Sequence, residues 1–318
     1  MSWPYPAFAA LCIALILERL VGYPQPLHRL IGHPVEWAGR LIELLDRSLN
    51  RPEAPPEKGR QRGIAALAIL LAAAFAAAWL VAKLLALFPF GVLLEAIVAS
   101  AFLAQHSLRQ HVAAVGSGLN QSLEAGRRAV AHIVGRDPAG LEEQGVARGA
   151  LESLAENTSD GVVAPALWYG LLGLPGLVLY KAINTADSMI GHRDARHLHF
   201  GWAAARLDDL VNLPASRLTA LLFGLASGPK WSAVLRAALR DGPKHNSPNA
   251  GWPEAALATA LGLRLGGPRD YDGETVDLPE MGDGNRGPVP ADIARGLRLY
   301  GRALTLLLAL AALAVVLS

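Results

Sequence analysis

Residues 63–82 read GIAALAILLAAAFAAAWLVA, twenty residues without a charge. A helix crossing the ~30 Å hydrocarbon layer of a membrane needs about 20 apolar residues. In lipid every backbone N–H and C=O must be satisfied within the segment, so this run predicts a membrane helix rather than an irregular chain. Its many alanines favour close helix packing, because small side chains let membrane helices approach where water supplies no driving force between them.

Three further runs are expected to span: 1–17, 84–105 and 303–317. The first lacks a basic leader and a small-residue cleavage site, and Glu18-Arg19 follows it, so it is expected to be a retained anchor. Phe88-Pro89-Phe90-Gly91 marks a turn after the 63–82 run. Lys83 and Glu95 stand six residues either side of Pro89, and a hairpin there would set them at similar depth as an ion pair. Two apolar segments stay open between crossing, re-entrant and protein-buried readings: 161–180, which contains Pro165, Gly173, Pro175 and Gly176, and the short 218–229.

The chain as a whole agrees with this reading. A length of 318 residues would ordinarily divide into two soluble domains of about 150. Hydrophobic residues are 52% and charged residues 18% of the chain, against roughly 25% charged in a soluble domain, and mean hydropathy is +0.30. The fold class expected is all-α, a polytopic integral membrane protein with one membrane-embedded unit over 1–318. A net charge of +2 gives no broad basic surface, so a nucleic-acid partner is not expected. Cys12 is the only cysteine, which excludes an intrachain disulfide framework and paired-cysteine zinc sites. Lys and Arg number 8 in 19–62, 5 in 106–160, 5 in 181–217 and 10 in 229–302. The positive-inside bias therefore places all four polar stretches, and with them the catalytic loops, on the cytoplasmic side of the inner membrane.

Those stretches carry the chemistry. Residues 119–156 read as helical with a break at Arg136-Asp137-Pro138, and the helix is expected to stop at Asn157-Thr158-Ser159-Asp160-Gly161. Glu152 and Glu156 would share a face, with Asp160 at the stop. Carboxylates at a helix C-terminus oppose its dipole by about 0.3–1 kcal/mol each, so this cluster favours a nearby cation. A second cluster follows: Lys181, Asn184, Asp187, Ser188 and Arg193. On a helix Asn184, Asp187 and Ser188 share a face, and such oxygen donors suit Mg²⁺, which takes one or two protein carboxylates together with waters and substrate phosphates. A third holds Arg206, Asp208, Asp209 and Asn212; adjacent carboxylates raise each other's pKa unless a cation lies beside them. The fourth, Lys244 to Glu254, is stiffened by Pro243, Pro248 and Pro253 and offers Ser247, Asn249, Trp252 and Glu254 as binding groups. No P-loop, dinucleotide fingerprint, HExxH or GxSxG occurs. The histidines lack a metal-binding spacing, and the run from Asp283 has Ala294 where a calcium loop needs Glu.

Taken in order, these clusters resemble the adenosylcobinamide-phosphate synthase family of cobalamin biosynthesis, the CobD/CbiB family. The resemblance runs through Gly32-His33-Pro34-Val35, Gly39-Arg40, Gly135-Arg136-Asp137, Leu151 to Asn157, Asp160-Gly161, Tyr180 to Thr185, Asp187 to Gly191, Gly201-Trp202, Ala205 to Asp209 and Ser247 to Glu254. Two positions depart from it: Glu18-Arg19 stands where the family usually has Asp-Arg, and Tyr23 where it has an acid between Gly22 and Pro24. The resemblance implies an ATP-dependent acid–amine ligase. Its substrates would be adenosylcobyric acid, a corrinoid, and (R)-1-amino-2-propanol phosphate or a related amino alcohol phosphate, with other cobalamin-pathway enzymes at the membrane as further partners. ATP and Mg²⁺ are the cofactors implied. In that chemistry Glu156, Asp160, Asp208 and Asp209 would hold the metal, Asn184, Asp187 and Ser188 with the two aspartates would orient the reacting groups, and Lys181, Arg193 and Arg206 would bind phosphates. Ser247, Asn249, Trp252 and Glu254 would bind substrate. A membrane prenyltransferase and a non-catalytic sensor or regulatory relative are the competing readings. The twenty polar residues between the two Asp-bearing clusters argue against the first, and retention of all the acidic clusters argues against the second.

Overall fold

The computed structural model describes residues 5–317 apart from 136, 268, 272, 273, 277 and 286. Met1–Pro4 of the first apolar run, Arg136 of the Gly135-Arg136-Asp137 motif and Arg286 therefore lie outside the described residues. In chain order the helices are α1 (Tyr5–Val21), α2 (Gln25–Ile31), α3 (Pro34–Leu49), α4 (Pro56–Leu85), α5 (Gly91–Ser100), α6 (Gln105–Leu119), α7 (Leu123–Val130), α8 (Glu143–Thr158), α9 (Ala164–Ile190), α10 (Trp202–Ala226), α11 (Trp231–Asp241), α12 (Gly251–Leu261) and α13 (Pro290–Leu317). Short 3₁₀ turns at Gly228–Lys230 and Gly242–Lys244 and a π turn at Ser159–Val163 lie between helices, and there are two small antiparallel ribbons: β1 (Leu265–Gly266) with β4 (Glu280–Met281), and β2 (Arg269–Tyr271) with β3 (Glu274–Val276). The protein is an all-α membrane protein, as its composition requires.

Four helical stretches are long and apolar enough to cross a membrane: Pro56–Leu85, Gly91–Leu119, Glu143–Ile190 and Pro290–Leu317. A fifth arises if Ala7–Val21 and Gln25–Leu49, bent by 105° at their junction, count as one broken span. The decisive 63–82 run lies inside α4. Only 17% of that helix's apolar window is buried in protein, and Ile64, Ile69, Phe75, Trp79 and Leu80 face outward, as side chains in contact with lipid do. The expected 84–105 span is interrupted. Pro89, which lacks the N–H a helix needs, sits in the turn between α4 and α5, so the apolar stretch begins again only at Gly91. The 161–180 segment is helical, although Gly173 at φ 64° kinks it. The 218–229 segment is the end of α10, which stops at Ala226.

Three sequence expectations change with the fold. Lys83 and Glu95 do not pair: the Lys83 ammonium lies 5.8 Å from the Trp79 ring centre, and Glu95 accepts the Tyr169 hydroxyl proton at 2.9 Å. Lys83 lies over the ring one turn earlier on its own helix, whereas the partner of Glu95 comes from α9, which linear spacing does not reveal. The 119–156 stretch breaks earlier than expected, because Ser122 caps α7 by accepting the Ala125 N–H at 3.1 Å. The helix expected to stop near Asp160 also runs on, through a π-helical turn at Ser159–Val163, into α9. Glu152 and Glu156 therefore face no free helix end, and the dipole argument for a cation beside them lapses.

The described residues pack as two compact units interleaved along the chain. The first takes the chain up to Ala104, Ala164–Asn212 and the residues from Ala311 on; the second takes Gln105–Val163 and Leu213–Leu310. In the first unit Ile42 of α3, Ala66 and Leu70 of α4, Ala182, Ala186 and Ile190 of α9, and Phe200 and Ala204 around the start of α10 form one buried cluster. Burial of this kind is worth about 25 cal/mol per Å², and here it clamps the polar half of α9 and the start of α10 to the membrane helices. In the second unit α8 is buried almost all round, through Val146, Ala147, Ala150, Leu151, Leu154 and Ala155, the pattern of an interior helix.

The family departure near the N-terminus has a structural role. Tyr23 donates its hydroxyl proton to the Gly32 carbonyl at 2.8 Å and lies edge-on to His33 at 4.6 Å. His33 in turn starts α3 by accepting the Val35 N–H, while Glu36 accepts the His33 N–H. The Gly32-His33-Pro34-Val35 motif is thus a helix start, with a capping box of the kind that satisfies orphan backbone donors.

Candidate functional site

The second and third sequence clusters come together in the first unit. Helical periodicity sets Lys181, Asn184, Asp187 and Ser188 along the last turns of α9. Their neighbours on α10 are Arg206, Asp208, Asp209 and Asn212. The join between the two helices is tight: a Cβ on Gly201 would strike the Ile190 carbonyl, so only glycine lets α10 begin so close to the end of α9.

Asp208 is the centre of this cluster. Its side chain is buried, with the residue 8% exposed. Asn184 donates to its Oδ1 at 3.3 Å and Asn212 to its Oδ2 at 3.0 Å. Behind these amides, Lys181 Nζ donates to Asn184 Oδ1 at 3.3 Å and Tyr180 donates to Asn212 Oδ1 at 2.9 Å. Each carboxylate oxygen is thereby fixed by an amide that is itself fixed. Burial pushes the Asp208 carboxyl up to about 6, Asp187 adds to the rise, the two amide hydrogen bonds oppose it, and Asp209 raises it further. Asp209 is also raised by burial, against the pull of Arg206 and Arg193. Ser188 stands apart, exposed, with its hydroxyl donating to the Asn184 carbonyl at 2.8 Å.

Arg193 and Arg206 line a cleft of about 440 Å³ together with Arg60, His192, His199 and Trp202, and Asp209 forms part of its wall. Arg206 Nη1 is 3.6 Å from Asp209 Oδ2, a pair on successive turns with the arginine 63% exposed. Pairs so exposed contribute only about 0–1 kcal/mol, which leaves the guanidinium available to a ligand.

The other predicted residues belong to the second unit. Ser247 accepts the Asn249 and Ala250 N–H groups at 3.2 and 3.3 Å, turning the chain into α12. Asn249 is buried, and its Oδ1 accepts from Ser216 at 3.2 Å and from Arg217 at 3.1 Å. Arg217 also donates to the Pro248 carbonyl at 3.0 Å and stacks 4.3 Å over the Trp252 ring. This one arginine folds the loop. The buried Trp252 indole N–H has no hydrogen-bond acceptor, and Glu254, also buried, has its Oε1 3.9 Å from His245 Nε2. Glu156 is exposed on α8 and Asp160 half-buried in the π turn. Their neighbour Glu152 is a structural acid, accepting the Gly266 N–H at 2.9 Å in a buried setting.

The four expected metal carboxylates thus divide two and two between the units. Sequence reasoning missed Tyr180 and Asn212 as positioning residues, although the one-turn spacing of Asp208 and Asn212 was visible. It also missed Arg60 and His199, and the signal for these was Gly59-Arg60-Gln61-Arg62-Gly63, two small residues one turn apart.

The fold and these clusters define a helical integral membrane protein with an amide-clamped carboxylate and an arginine-lined cleft in one of its two compact units. A family model described as CobD/Cbib protein matches residues 11–300. The chain is 49% identical to the cobalamin biosynthesis protein CobD of Sinorhizobium fredii over 97% of both chains. It is 50% identical to that of Rhizobium meliloti, over 87% of this chain and 86% of the relative, and 48% identical to that of Rhodobacter capsulatus, over 93% and 94%. No solved structure matches the chain. The chain belongs to the CobD/CbiB family and has its role in cobalamin biosynthesis.

Proposed function

We propose that the protein is an ATP-dependent ligase that joins the propionate of adenosylcobyric acid to the amine of (R)-1-amino-2-propanol phosphate, or a related amino alcohol phosphate. Carboxylate, amine and ATP give the amide adenosylcobinamide phosphate, ADP and phosphate. The observation that carries this reading is the presence in one unit of a carboxylate cluster around Asp208 and a cleft bearing Arg193 and Arg206. Activating a carboxylate by phosphoryl transfer asks for that combination, because the transferred group is steered and its charge neutralised by cations.

In this reading Lys181, Arg193 and Arg206 hold phosphates, while Asn184, Asp187, Ser188, Asp208 and Asp209 orient the reacting groups. Asp208 and Asp209 are suited to hold Mg²⁺, since a buried carboxylate among like charges is stabilised by a cation. Among the described residues no three His, Cys, Asp or Glu side chains gather as a metal cage. An ion held there would take its remaining ligands from phosphates and water, the usual Mg²⁺ arrangement. When bound, the ion supplies charge neutralisation at the phosphates. Glu156 and Asp160 are the second acidic pair proposed for metal binding, to be tested by their own substitutions. The 247–254 loop, through Ser247, Asn249, Trp252 and Glu254, is assigned to the corrinoid. The excess of Lys and Arg in the polar stretches favours the cytoplasmic face of the inner membrane for these groups, with the Glu143–Ile190 helix, kinked at Gly173, entering the membrane without crossing it.

The test uses the purified protein in detergent with adenosylcobyric acid, aminopropanol phosphate, ATP and Mg²⁺, followed by mass spectrometry. Corrinoid amide and ADP in equal amounts are expected. A protein that binds the corrinoid and forms no amide would overturn the ligase in favour of a carrier or regulatory role.

A further inference from the structure

The cleft of the first unit is more cationic than the sequence motifs account for. Arg60 comes from the polar beginning of α4, and His199 from the turn before α10; with Arg193, Arg206 and His192 they line one cavity of about 440 Å³, in which Asp209 is the only carboxylate among the lining residues. Three fixed positive charges against one negative repel one another unless an anion lies between them.

The cavity is built into the fold. A Cβ on Gly59 would come within 2.9 Å of His199 Cβ, and one on Gly63 would strike the Phe200 carbonyl. Two glycines one turn apart thus let α4 press directly on the 199–200 backbone, bringing Arg60 to the cleft with its guanidinium 5.3 Å over Trp202. His199 Nδ1 is buried and has no hydrogen-bond partner. The first turn of α10, through Trp202, Ala205 and Arg206, forms another wall.

We infer that this cleft binds a nucleoside triphosphate, with Arg60 and His199 as phosphate-binding residues beside Arg193 and Arg206. This deepens the ligase reading and rests on it for the role of the nucleotide as co-substrate. The volume lies in the range of roughly 300–1,000 Å³ typical of small-molecule sites, and Trp202 and Leu198 supply an apolar wall for a base. A corrin ring with its side chains is too large for such a space, and an amino alcohol phosphate has no flat group to lay on that wall.

The experiment measures ATP binding to the full-length protein in detergent by calorimetry, with Mg²⁺ chelated so that the carboxylate pair takes no part. Arg60→Glu is expected to weaken ATP binding at least tenfold and His199→Gln several-fold. Arg47→Glu, which alters an exposed α3 arginine paired with Glu43, should leave binding unchanged. Wild-type affinity in Arg60→Glu would overturn the inference, as would a variant that loses affinity for aminopropanol phosphate and keeps it for ATP. The two readings fail separately. Amide formation with no effect of Arg60 on ATP binding sinks the cleft and keeps the ligase, whereas Arg60-dependent ATP binding without amide formation sinks the ligase and keeps the cleft.

Discussion

Asn212, one turn beyond Asp208 on α10, donates its side-chain amide to Asp208 Oδ2 at 3.0 Å and accepts the Tyr180 hydroxyl proton at 2.9 Å. The bond ties the orientation of a buried carboxylate to α9 as well as to its own helix. Asp208→Asn keeps the shape of the side chain and removes the charge. Amide formation is expected to fall by roughly 100-fold or more, the scale of losing a group aimed at reacting charge. Thermal stability near neutral pH should change little, because the gain from burying no charge is offset where the new amide nitrogen meets the donor of Asn184 or Asn212. A variant with wild-type turnover would remove Asp208 from the chemistry.

Tyr180→Phe deletes only a hydroxyl. The buried Asn212 oxygen loses its donor, and the expected cost is about 1–3 kcal/mol of stability, read as a lower unfolding temperature in detergent. Turnover should drop with little change in KM, since the tyrosine positions Asp208 through Asn212 and does not reach substrate. Equal kcat in the two proteins would show that the relay is ornamental to the reaction.

Asp241, in the second unit, gives a pH dependence with a definite sign. Burial pushes its carboxyl up, but hydrogen bonds from Arg240, Lys244 and the Gly282 N–H outweigh this and hold it down at about 2, against 3.8 when free. A depressed carboxyl stabilises the fold above its unfolded value, and that contribution is lost as pH falls from 3.8 through about 2. Wild-type unfolding temperature should therefore decline across that window more steeply than that of Asp241→Asn. At neutral pH the variant itself should be less stable by about 1–3 kcal/mol, the cost of disturbing the buried carboxylate's hydrogen bonds, because Arg240 and Lys244 are half exposed and water takes up much of what they lose. Parallel acid profiles for the two proteins would contradict this.

Gly63→Val sets a branched side chain against the Phe200 carbonyl. Overpacking of this kind costs about 1–3 kcal/mol, and the strain falls on the turn that carries His199. Reduced thermal stability together with weaker ATP binding is expected. Stability and nucleotide affinity at wild-type levels would mean that α4 can move away from the turn freely.

Arg217→Lys keeps the charge but loses the flat guanidinium that stacks on Trp252 while its Nη1 serves Ser216, Pro248 and Asn249. The two cations are not interchangeable at such a site. A raised KM for the corrinoid, with ATP affinity unaltered, is the expected pattern. An unchanged KM would detach the 247–254 loop from corrinoid binding.

Sequence alone determined the class of fold, because a hydrocarbon layer imposes its demand locally: a run such as 63–82 must satisfy its own backbone, whatever lies elsewhere. It also fixed the order of the polar clusters and the one-turn pairing of Asp208 with Asn212, since helical periodicity is a short-range property. Tertiary structure decided which charges meet. Lys83 and Glu95 are near in sequence and do not pair: Lys83 turns to Trp79 on its own helix, and Glu95 takes the hydroxyl of Tyr169, 74 residues away, a contact that spacing could not show. Glu152, which shares a predicted acidic face with Glu156, proved to cap a glycine more than a hundred residues away. Arg60 and His199 reach one cleft only because Gly59 and Gly63 let two backbones touch. Such encounters depend on the packing of segments far apart in the chain, and no local pattern of residue types encodes them.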